Sequence, residues 1–544
     1  MEKIKIFSMG GLDEMGKNTY VIEINDDIYV FDCGIKYSEG NMYGIDYVIP
    51  NYEYLIKNKD RVKGIFITHG HYENMGGAFS LSKSLPKTPF YASKYTKYLL
   101  IDSGLKEDRI IEIEPNKKIM FGKNYILPLS VSHSVPGSLM YAISTSKGYI
   151  CYTGDFIIDP LMQGCYDMDL GKIAYLGKQG VLCLLTESSF SEYIGHTSPS
   201  HRLQSFFEDV ISKYDGRIFF SVLPTHLYTI NEIFEAAKGT HRKIVIMGSK
   251  LQRIIKFSHE NHYLDYEEDI IGDLNNINDS NTILLICDDK LNPYASINKI
   301  LNGYDKFISF KKGDSVVFAE PRYDSNEKTI VKLENDLAMN GCKIVSLPKD
   351  KNILHHASRE DLMLMIKLLN PKYYMPVKGE YRYLVNNANI ASELGMKKEN
   401  IILKQNGDIV NIEDGKLIDK FEHINIKDNL IDGKSNLDIG ELVMKDREML
   451  SDNGIVLISA TIDRKTKKLL VGPEITTKGF IYVKESKDLI LGMRKISEEV
   501  ILDNIVDNQV DYNSIKGDIR SKLSEYLYNE TETKPMIIAV VQEV

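Results

Sequence analysis

Two histidines one residue apart, His69 and His71, form the pattern with the clearest chemistry in this sequence. Neutral imidazoles bind zinc and manganese, and alternate side chains in a loop after a strand can converge on one ion. The pair follows the apolar run Val62–Thr68, which predicts such a strand. A lone H-x-H is weak support for a metal site, so a structural role for both histidines stays open on this pattern alone.

Three further segments strengthen the prediction, because each brings a histidine or a carboxylate. They contain His133, Asp155 in a Thr-Gly-Asp context, and Asp32. Histidine nitrogens and carboxylate oxygens are ligands that zinc and manganese accept. Together with the H-x-H pair, these segments predict a metal site.

The strands that precede these residues must position them. Short β-branched runs separated by Gly, Asn and Asp turns predict strands in the first 190 residues. The predicted strands are Thr19–Ile24, Ile28–Asp32, Val62–Thr68, Tyr149–Thr153 and Val181–Thr186. Several end at or just before a polar residue, namely Asp32, His69, Asp155 and Glu187. Because functional groups gather at strand ends in layered α/β folds, this clustering is a first indication of a site.

Beyond these strands the chain predicts further α/β segments. Helix-strand alternation over His196–Leu354 predicts an inserted α/β domain, and the polar stretch His423–Asn436 predicts a linker. Two strands, Ile455–Ile462 and Met536–Val541, bracket two helices and predict a small domain. Ser358 with Asp361 three residues later predicts a capping box at the start of another helix.

The composition bounds the class of protein. A chain of 544 residues is expected to form roughly three to four domains. It has no apolar run of about 18 residues and no apparent secretory signal, so we expect a soluble cytoplasmic protein with no membrane association. The six cysteines are scattered, which predicts reduced core residues. The formal charge of −9 gives no overall attraction to nucleic acid, so RNA binding would need a local basic groove.

The order and context of the motifs resemble the metallo-β-lactamase superfamily of hydrolases. That superfamily carries H-x-H-x-D-H after a strand, a later single histidine, and an aspartate in a T-G-D context. Further segments resemble ribonuclease J, a bacterial enzyme of this superfamily with an inserted β-CASP domain. The similarity runs nearly end to end and includes Gly10–Asn18, Gly44–Pro50, Met375–Arg382, Asp438–Gly440 and Asp446–Arg447.

This resemblance implies a fold of the α/β class with several domains. We expect a metallo-β-lactamase αββα sandwich from residues 1–195 and 358–422, interrupted by a β-CASP α/β domain at 196–357. A linker at 423–437 would lead to a small α/β association domain at 438–544.

The resemblance also implies which residues hold metal. One ion of the family maps to His69, His71, His133 and Asp155, and this ligand set is complete. The other ion maps to the positions of Glu73, Asn74, Asp155 and Lys378, where only the bridging Asp155 is preserved. We therefore expect at most one tightly bound zinc or manganese ion per chain. The Lys378 ammonium is expected to stand near Asp155 and to supply the charge of the missing ion.

The phosphate-binding loop of the family is altered in this chain. It maps to Asn352–Ala357, and the resemblance implies substrate contacts from Asn352, His355 and His356. His355 stands where the family has glycine, so we expect it to crowd the pocket. His356, Glu187 and Glu73 are the implied catalytic residues. In the acidic motif at Glu187, the family's S-T-N-A continuation becomes Ser-Ser-Phe-Ser.

The departures separate three functional hypotheses. The favoured one is a weakly active or inactive subunit, resembling degenerate second copies found in low-GC bacteria, which binds RNA, self-associates and pairs with an intact ribonuclease J. The alternative is an active 5′-to-3′ exoribonuclease or endoribonuclease that uses one ion or an altered pair. A less favoured third hypothesis is a one-metal hydrolase of another ester.

Overall fold

The computed structural model describes the chain except residues 38–43, 288–292, 320–321, 323–326, 352–354, 433–436, 439, 482–485 and 507–508. The chain forms two compact units. The first comprises Met1–Tyr37 and Val48–Asp428, and the second is built mainly from Asn429–Val544. Each unit is described by itself below.

The strands follow one another in chain order with the following bounds. They are β1 (Lys3–Gly10), β2 (Thr19–Ile24), β3 (Asp27–Phe31), β4 (Lys36–Tyr37), β5 (Tyr47–Pro50), β6 (Val62–Phe66), β7 (Phe90–Ala92), β8 (Ile110–Glu112), β9 (Ile119–Phe121), β10 (Asn124–Ser130), β11 (Leu139–Thr145), β12 (Gly148–Tyr152), β13 (Val181–Thr186), β14 (Ile218–Ser221), β15 (Lys243–Met247), β16 (Thr282–Ile286), β17 (Ser315–Phe318), β18 (Lys343–Ser346), β19 (Tyr373–Pro376), β20 (Val410–Glu413), β21 (Lys416–Ile418), β22 (Asp428–Asp432), β23 (Leu437–Asp438), β24 (Ile455–Ile462), β25 (Leu469–Lys478), β26 (Ile505–Val506), β27 (Gln509–Val510) and β28 (Met536–Glu543).

The α-helices are interspersed with these strands. They are α1 (Glu53–Lys57), α2 (Tyr72–Met75), α3 (Ala78–Ser84), α4 (Lys94–Asp102), α5 (Leu170–Gln179), α6 (Gln204–Lys213), α7 (Leu227–Ala237), α8 (Ser249–Glu260), α9 (Pro293–Leu301), α10 (Glu327–Met339), α11 (Arg359–Leu369), α12 (Tyr381–Glu393), α13 (Gly440–Asn453), α14 (Lys487–Asp503) and α15 (Tyr512–Thr531). Among the described residues, none of these helices is both long and apolar enough to cross a bilayer.

Two sheets face each other in the first unit, one in the order β21-β20-β1-β2-β3-β6-β7-β8 and one in the order β19-β13-β12-β11-β10-β9. Their inner faces form a shared aromatic core, in which Phe31 and Phe66 of the first sheet both contact Tyr141 of the second at centroid distances of 5.7 Å. Outside the second sheet, α5, α11 and α12 bury an apolar face, for example at Leu176 and Met365. The predicted αββα sandwich is therefore confirmed.

The strand directions bring the candidate residues to one edge. In the first sheet β3 and β6 are parallel, and Asp32 and His69 follow them. In the second sheet β12, β13 and β19 are parallel, and Asp155, Glu187 and Lys378 follow them. Because parallel strands end at a common edge, these side chains gather although they lie far apart in sequence.

The predicted inserted α/β domain is a parallel sheet in the order β15-β16-β14-β17-β18, with α6 to α10 along its chain. Its strands bury both faces, so they are continuous apolar runs rather than alternating ones. The predicted capping box at Ser358 and Asp361 is present, and Asn370 ends α11 in the left-handed region with φ of 42°. The following strand, β19, lies beside β13 and returns the chain to the second sheet.

The second unit contains a sheet in the order β25-β24-β28, in which β24 alternates between buried and half-buried residues. The buried set, including Val456 and Ile458, packs against α14 and α15 through Val500 and Leu523. The strands predicted at both ends of this domain are thus present. The strand β22 lies within the predicted linker; its five residues, rich in Asp and Asn, are too short to give a periodic signal. The predicted domain boundaries stay predictions.

Candidate metal centre

Three histidines and one aspartate converge at the common edge of the two sheets. His69, His71, His133 and Asp155 are buried, and one ligand atom from each lies within 4.8 Å of the others. His69 Nε2 is 3.3 Å from Asp155 Oδ2, and His133 Nε2 is 3.2 Å from His71 Nδ1. The structure thus brings together the four residues that the sequence assigns to one ion.

The second ring nitrogen of each histidine contacts a group that lies outside the cluster. His69 Nδ1 is 2.9 Å from the hydroxyl of Thr68, and His71 Nε2 is 3.3 Å from the hydroxyl of Ser134. His133 Nδ1 donates to the carbonyl oxygen of His355 at 2.7 Å. Because a carbonyl can only accept, His133 presents an unprotonated Nε2 to the cluster.

The chemistry of the cluster fits a single metal ion. Among the described residues, His69 Nε2 and Asp155 Oδ2 are buried without an aligned hydrogen-bond partner. Burial lowers the pKa of His71 and of His133 well below the ordinary value, so both imidazoles are neutral, as metal ligands must be. Three imidazole nitrogens and one carboxylate oxygen form a donor set suited to zinc or manganese.

A buried aspartate, Asp32, contacts residues that adjoin this cluster. Asp32 accepts hydrogen bonds from the backbone N–H and hydroxyl of Thr68, at 2.8 and 2.9 Å, and from Asn74 Nδ2 and the Tyr152 hydroxyl, both at 2.7 Å. Burial raises the pKa of Asp32, and the charges of Lys378 and His69, followed by the hydrogen bonds from Thr68 and Tyr152, offset part of that effect. Since the Thr68 hydroxyl also contacts His69, Asp32 fixes the orientation of a ligand. The sequence placed Asp32 with the segments of the predicted metal site, but Asp32 belongs to neither ligand group found among the described residues.

A buried ammonium group, that of Lys378, lies against Asp155 of the cluster. Lys378 is 3% exposed, and its Nζ contacts Asp155 Oδ1 and lies 3.4 Å from Asn74 Oδ1. Although burial raises the pKa of Asp155, Lys378 and the neighbouring histidines hold it well below its usual range. The position expected for the Lys378 ammonium is therefore the observed one.

The other two residues that map to the second ion, Asn74 and Glu73, do not form a metal-ligand group next to Lys378. The Asn74 amide nitrogen donates to Asp32, which turns its oxygen towards Lys378. The Glu73 side chain is 37% exposed, and its Oε1 is 3.9 Å from His71 Nδ1. Glu73 belongs to neither of the ligand groups found among the described residues.

Glu187 and His356 form a second buried pair beside Asp155. Glu187 Oε2 is 2.5 Å from His356 Nδ1, and Oε1 accepts from the backbone N–H of Phe156 and Ala357. Burial raises the pKa of Glu187. Burial alone would lower the pKa of His356, but Glu187 and Asp155 raise it. A protonated His356 held in this way can donate a proton to an anion or a leaving group.

The two other residues predicted to contact substrate have different outcomes. Asn352 lies outside the described residues. The His355 ring is 5% exposed and packs against His201 and Tyr228 at centroid distances of 5.0 and 5.1 Å. Its carbonyl oxygen accepts from His133, and its ring lies edge-on to the His133 ring at a centroid distance of 6.5 Å. A substrate contact by the His355 ring stays a prediction.

One neighbour of the cluster has no signal in the sequence. His226 lies at the start of α7, and its ring centroid is 4.7 Å from that of His71. It is 8% exposed. An isolated histidine after an apolar strand gives no spacing pattern, so only the fold of the inserted domain brings it to the metal ligands.

Four family models match the chain. They are the metallo-beta-lactamase superfamily (residues 12–159), the beta-CASP domain of ribonuclease J (215–337), the Zn-dependent metallo-hydrolase RNA specificity domain (353–403) and the ribonuclease J C-terminal domain (442–544). Ribonuclease J2 of Bacillus subtilis (strain 168) is 35% identical over 557 residues, which cover 100% of this chain and 99% of that protein. The chain belongs to the ribonuclease J family. The family resemblance read from the motifs is thereby confirmed, and with it membership among RNA-processing nucleases.

Other similar proteins agree with this membership. Ribonuclease J 2 of Staphylococcus aureus (strain NCTC 8325 / PS 47) is 32% identical, over 99% of this chain and 98% of that protein. A crystal structure of a protein of unknown function from Enterococcus faecalis V583 aligns with a TM-score of 0.51 and 16% identity. It covers 76% of this chain and 100% of that one, and it supports the fold alone.

Proposed function

We propose that this ribonuclease J family member is an RNA-binding subunit with weak or no hydrolytic activity of its own, which associates with an intact ribonuclease J in the cytoplasm. The observation that carries the proposal is the Lys378 ammonium at Asp155. An internal cation there neutralises the carboxylate that would otherwise bridge two ions. The chain would thus keep its fold and its RNA surface while lacking half of the hydrolytic centre.

The number of ions decides the expected rate. In two-metal hydrolysis, one ion activates the nucleophile and the other stabilises charge on the leaving oxygen. An ion held by His69, His71, His133 and Asp155 would supply Lewis-acid chemistry at one position. The Lys378 ammonium adds a positive charge, but its three N–H groups can only donate hydrogen bonds, so it cannot acidify a water molecule as an ion does.

The preserved pair of Glu187 and His356 supports binding of a phosphodiester. A protonated His356 beside the metal ligands offers a charged donor to phosphate oxygens. Basic side chains near this region in sequence could follow a nucleic-acid backbone. They are Lys349, Lys351, Arg359 and Arg382, whereas Lys372 precedes β19 and lies at the opposite end of that strand from Lys378.

One observation favours the alternative of an active nuclease. Asp155, Glu187 and His356 form a second buried group whose ligand atoms lie within 4.8 Å. A second ion could bind there if the Lys378 ammonium moved away. We favour the inactive role because two of these three side chains, Glu187 and His356, already form a hydrogen bond with each other.

Association would involve the second unit. Its exposed apolar side chains include Leu442 on α13 and Leu470 and Val471 on β25, with 82%, 55% and 57% of their surface exposed. Covering these side chains in an interface would remove apolar surface from water, which favours association. We propose that this domain joins copies of the chain to one another and, more tightly, to the intact relative.

Turnover of 5′-monophosphorylated RNA tests the proposal, with protein prepared free of host ribonuclease J. We expect turnover at least about 100-fold below that of an intact family member assayed in parallel, since a lost ion removes several kcal/mol of transition-state stabilisation. The variant that combines Glu73→Asp, Asn74→His and Lys378→His should bind more metal per chain and turn over this RNA faster. Activity equal to the intact enzyme, abolished by His71→Ala, would make the subunit proposal wrong.

A further inference from the structure

Three aromatic rings form a continuous stack that begins in the metal centre. Phe190 lies nearly parallel to His356, with a centroid distance of 5.5 Å and an interplanar angle of 14°. Tyr193 is next in the stack, at 4.7 Å and 24° from Phe190. The stack therefore extends from the His356–Glu187 pair along the loop that follows β13.

The stack passes from the interior to the surface. His356 and Phe190 are 8% and 7% exposed, whereas Tyr193 is 45% exposed. Because Phe190 covers one face of the Tyr193 ring, the exposed area belongs mainly to the opposite face and the edge. The neighbouring Ile194 is 88% exposed, so the apolar surface continues beyond the ring.

The backbone holds Tyr193 in place. Its N–H donates to the carbonyl of Phe190 at 3.0 Å, and its carbonyl accepts from the N–H of Arg359 at the start of α11, also at 3.0 Å. These bonds restrain the backbone and the packing on Phe190 restrains the ring, so Tyr193 loses little conformational freedom when a ligand stacks on it. The loop is thus preorganised for a planar partner.

The stack depends on a residue that departs from the family motif. Phe190 stands in the position of the asparagine in the S-T-N-A continuation. An asparagine there could not place a ring between His356 and residue 193. The aromatic stack is therefore a feature of this chain rather than of the motif that it resembles.

We propose that Tyr193 is a stacking platform for an unpaired base of single-stranded RNA that lies along the metal centre. The inference rests on the proposed function, because it needs RNA to occupy the cleft at His356. Every base has a π-face, so stacking on an aromatic ring suits a surface that binds RNA without reading its sequence. A paired base is covered on its faces by its neighbours, so the platform would select single strands.

Binding of a short fluorescein-labelled single-stranded RNA to the full chain, measured by anisotropy in chelator to prevent cleavage, tests this platform. Tyr193→Ala should weaken binding roughly 5- to 150-fold, the range for loss of one stacked base. Tyr193→Phe keeps the ring and should bind as the unchanged chain does. Tyr175→Ala is the matched control, because Tyr175 lies on α5 and is 59% exposed.

A second measurement separates stacking from a general loss of structure. Replacing each nucleotide in turn with an abasic one should reveal one position at which the Tyr193→Ala effect disappears. If RNA binds tightly and Tyr193→Ala behaves like Tyr175→Ala, the platform is wrong and the proposed function stands. If the unchanged chain binds no RNA, both proposals fail.

Discussion

Removing the Lys378 ammonium while keeping most of its side-chain length, as in Lys378→Met, should destabilise the metal-free protein strongly. Lys378 is 3% and Asp155 1% exposed, so water cannot easily replace the lost cation. Removing one partner of a buried ion pair costs about 3–5 kcal/mol, because the other charge is left uncompensated. In a unit of this size the melting temperature should fall by about 3–6 °C.

The same change should make stability depend more on added metal. In the unchanged chain, the Lys378 ammonium occupies Asp155 Oδ1 and repels a divalent ion. Without it, an ion can neutralise Asp155 directly, and binding to the folded state alone raises the melting temperature by mass action. Added Mn²⁺ should therefore raise the melting temperature of Lys378→Met more than that of the unchanged chain.

Differential scanning fluorimetry in chelator and in added Mn²⁺ measures both effects. Lys178→Met, at an exposed position near the end of α5, is the control and should shift stability by no more than about 0.5 kcal/mol. Identical melting curves for the two variants, with and without metal, would refute the role assigned to Lys378 as an internal counter-ion.

Three further outcomes are expected. Elemental analysis after dialysis should find at most one tightly bound divalent ion per chain, and two ions that survive dialysis would contradict this. Burial raises the pKa of Glu232 from 4.5 to about 8, so the folded state loses stability as pH rises through this interval. Glu232→Gln should consequently melt above the unchanged chain at pH 8 and by a smaller margin at pH 5; equal margins would exclude this titration. A chain that ends at Lys434 should contain fewer chains per particle in sedimentation than the full chain, both alone and with an intact ribonuclease J, and an unchanged number of chains per particle would reject association through the second unit.

Local patterns were sufficient for many individual elements. The strands predicted at Thr19–Ile24 and Val181–Thr186 have the observed bounds, because runs of β-branched and apolar residues between turn residues leave little alternative to a buried strand. The capping box of Ser358 and Asp361 also depends only on neighbouring residues. The strand β22 was missed because its five residues carry too few apolar side chains to show alternation.

The sequence by itself supplied the residue types of the candidate metal centre and the departures from the family motif at Glu73, Asn74 and Lys378, since both depend on which side chains stand at the motif positions. Only the tertiary structure decided which group lies against Asp155. Lys378 reaches Asp155 across 223 residues and Asn74 across 304, because β12 and β19 end at the same sheet edge. The same convergence turns the His355 carbonyl towards His133 and stacks Tyr193 outward from the site. Such contacts follow from how distant strands pack, and no local pattern of residues contains that information.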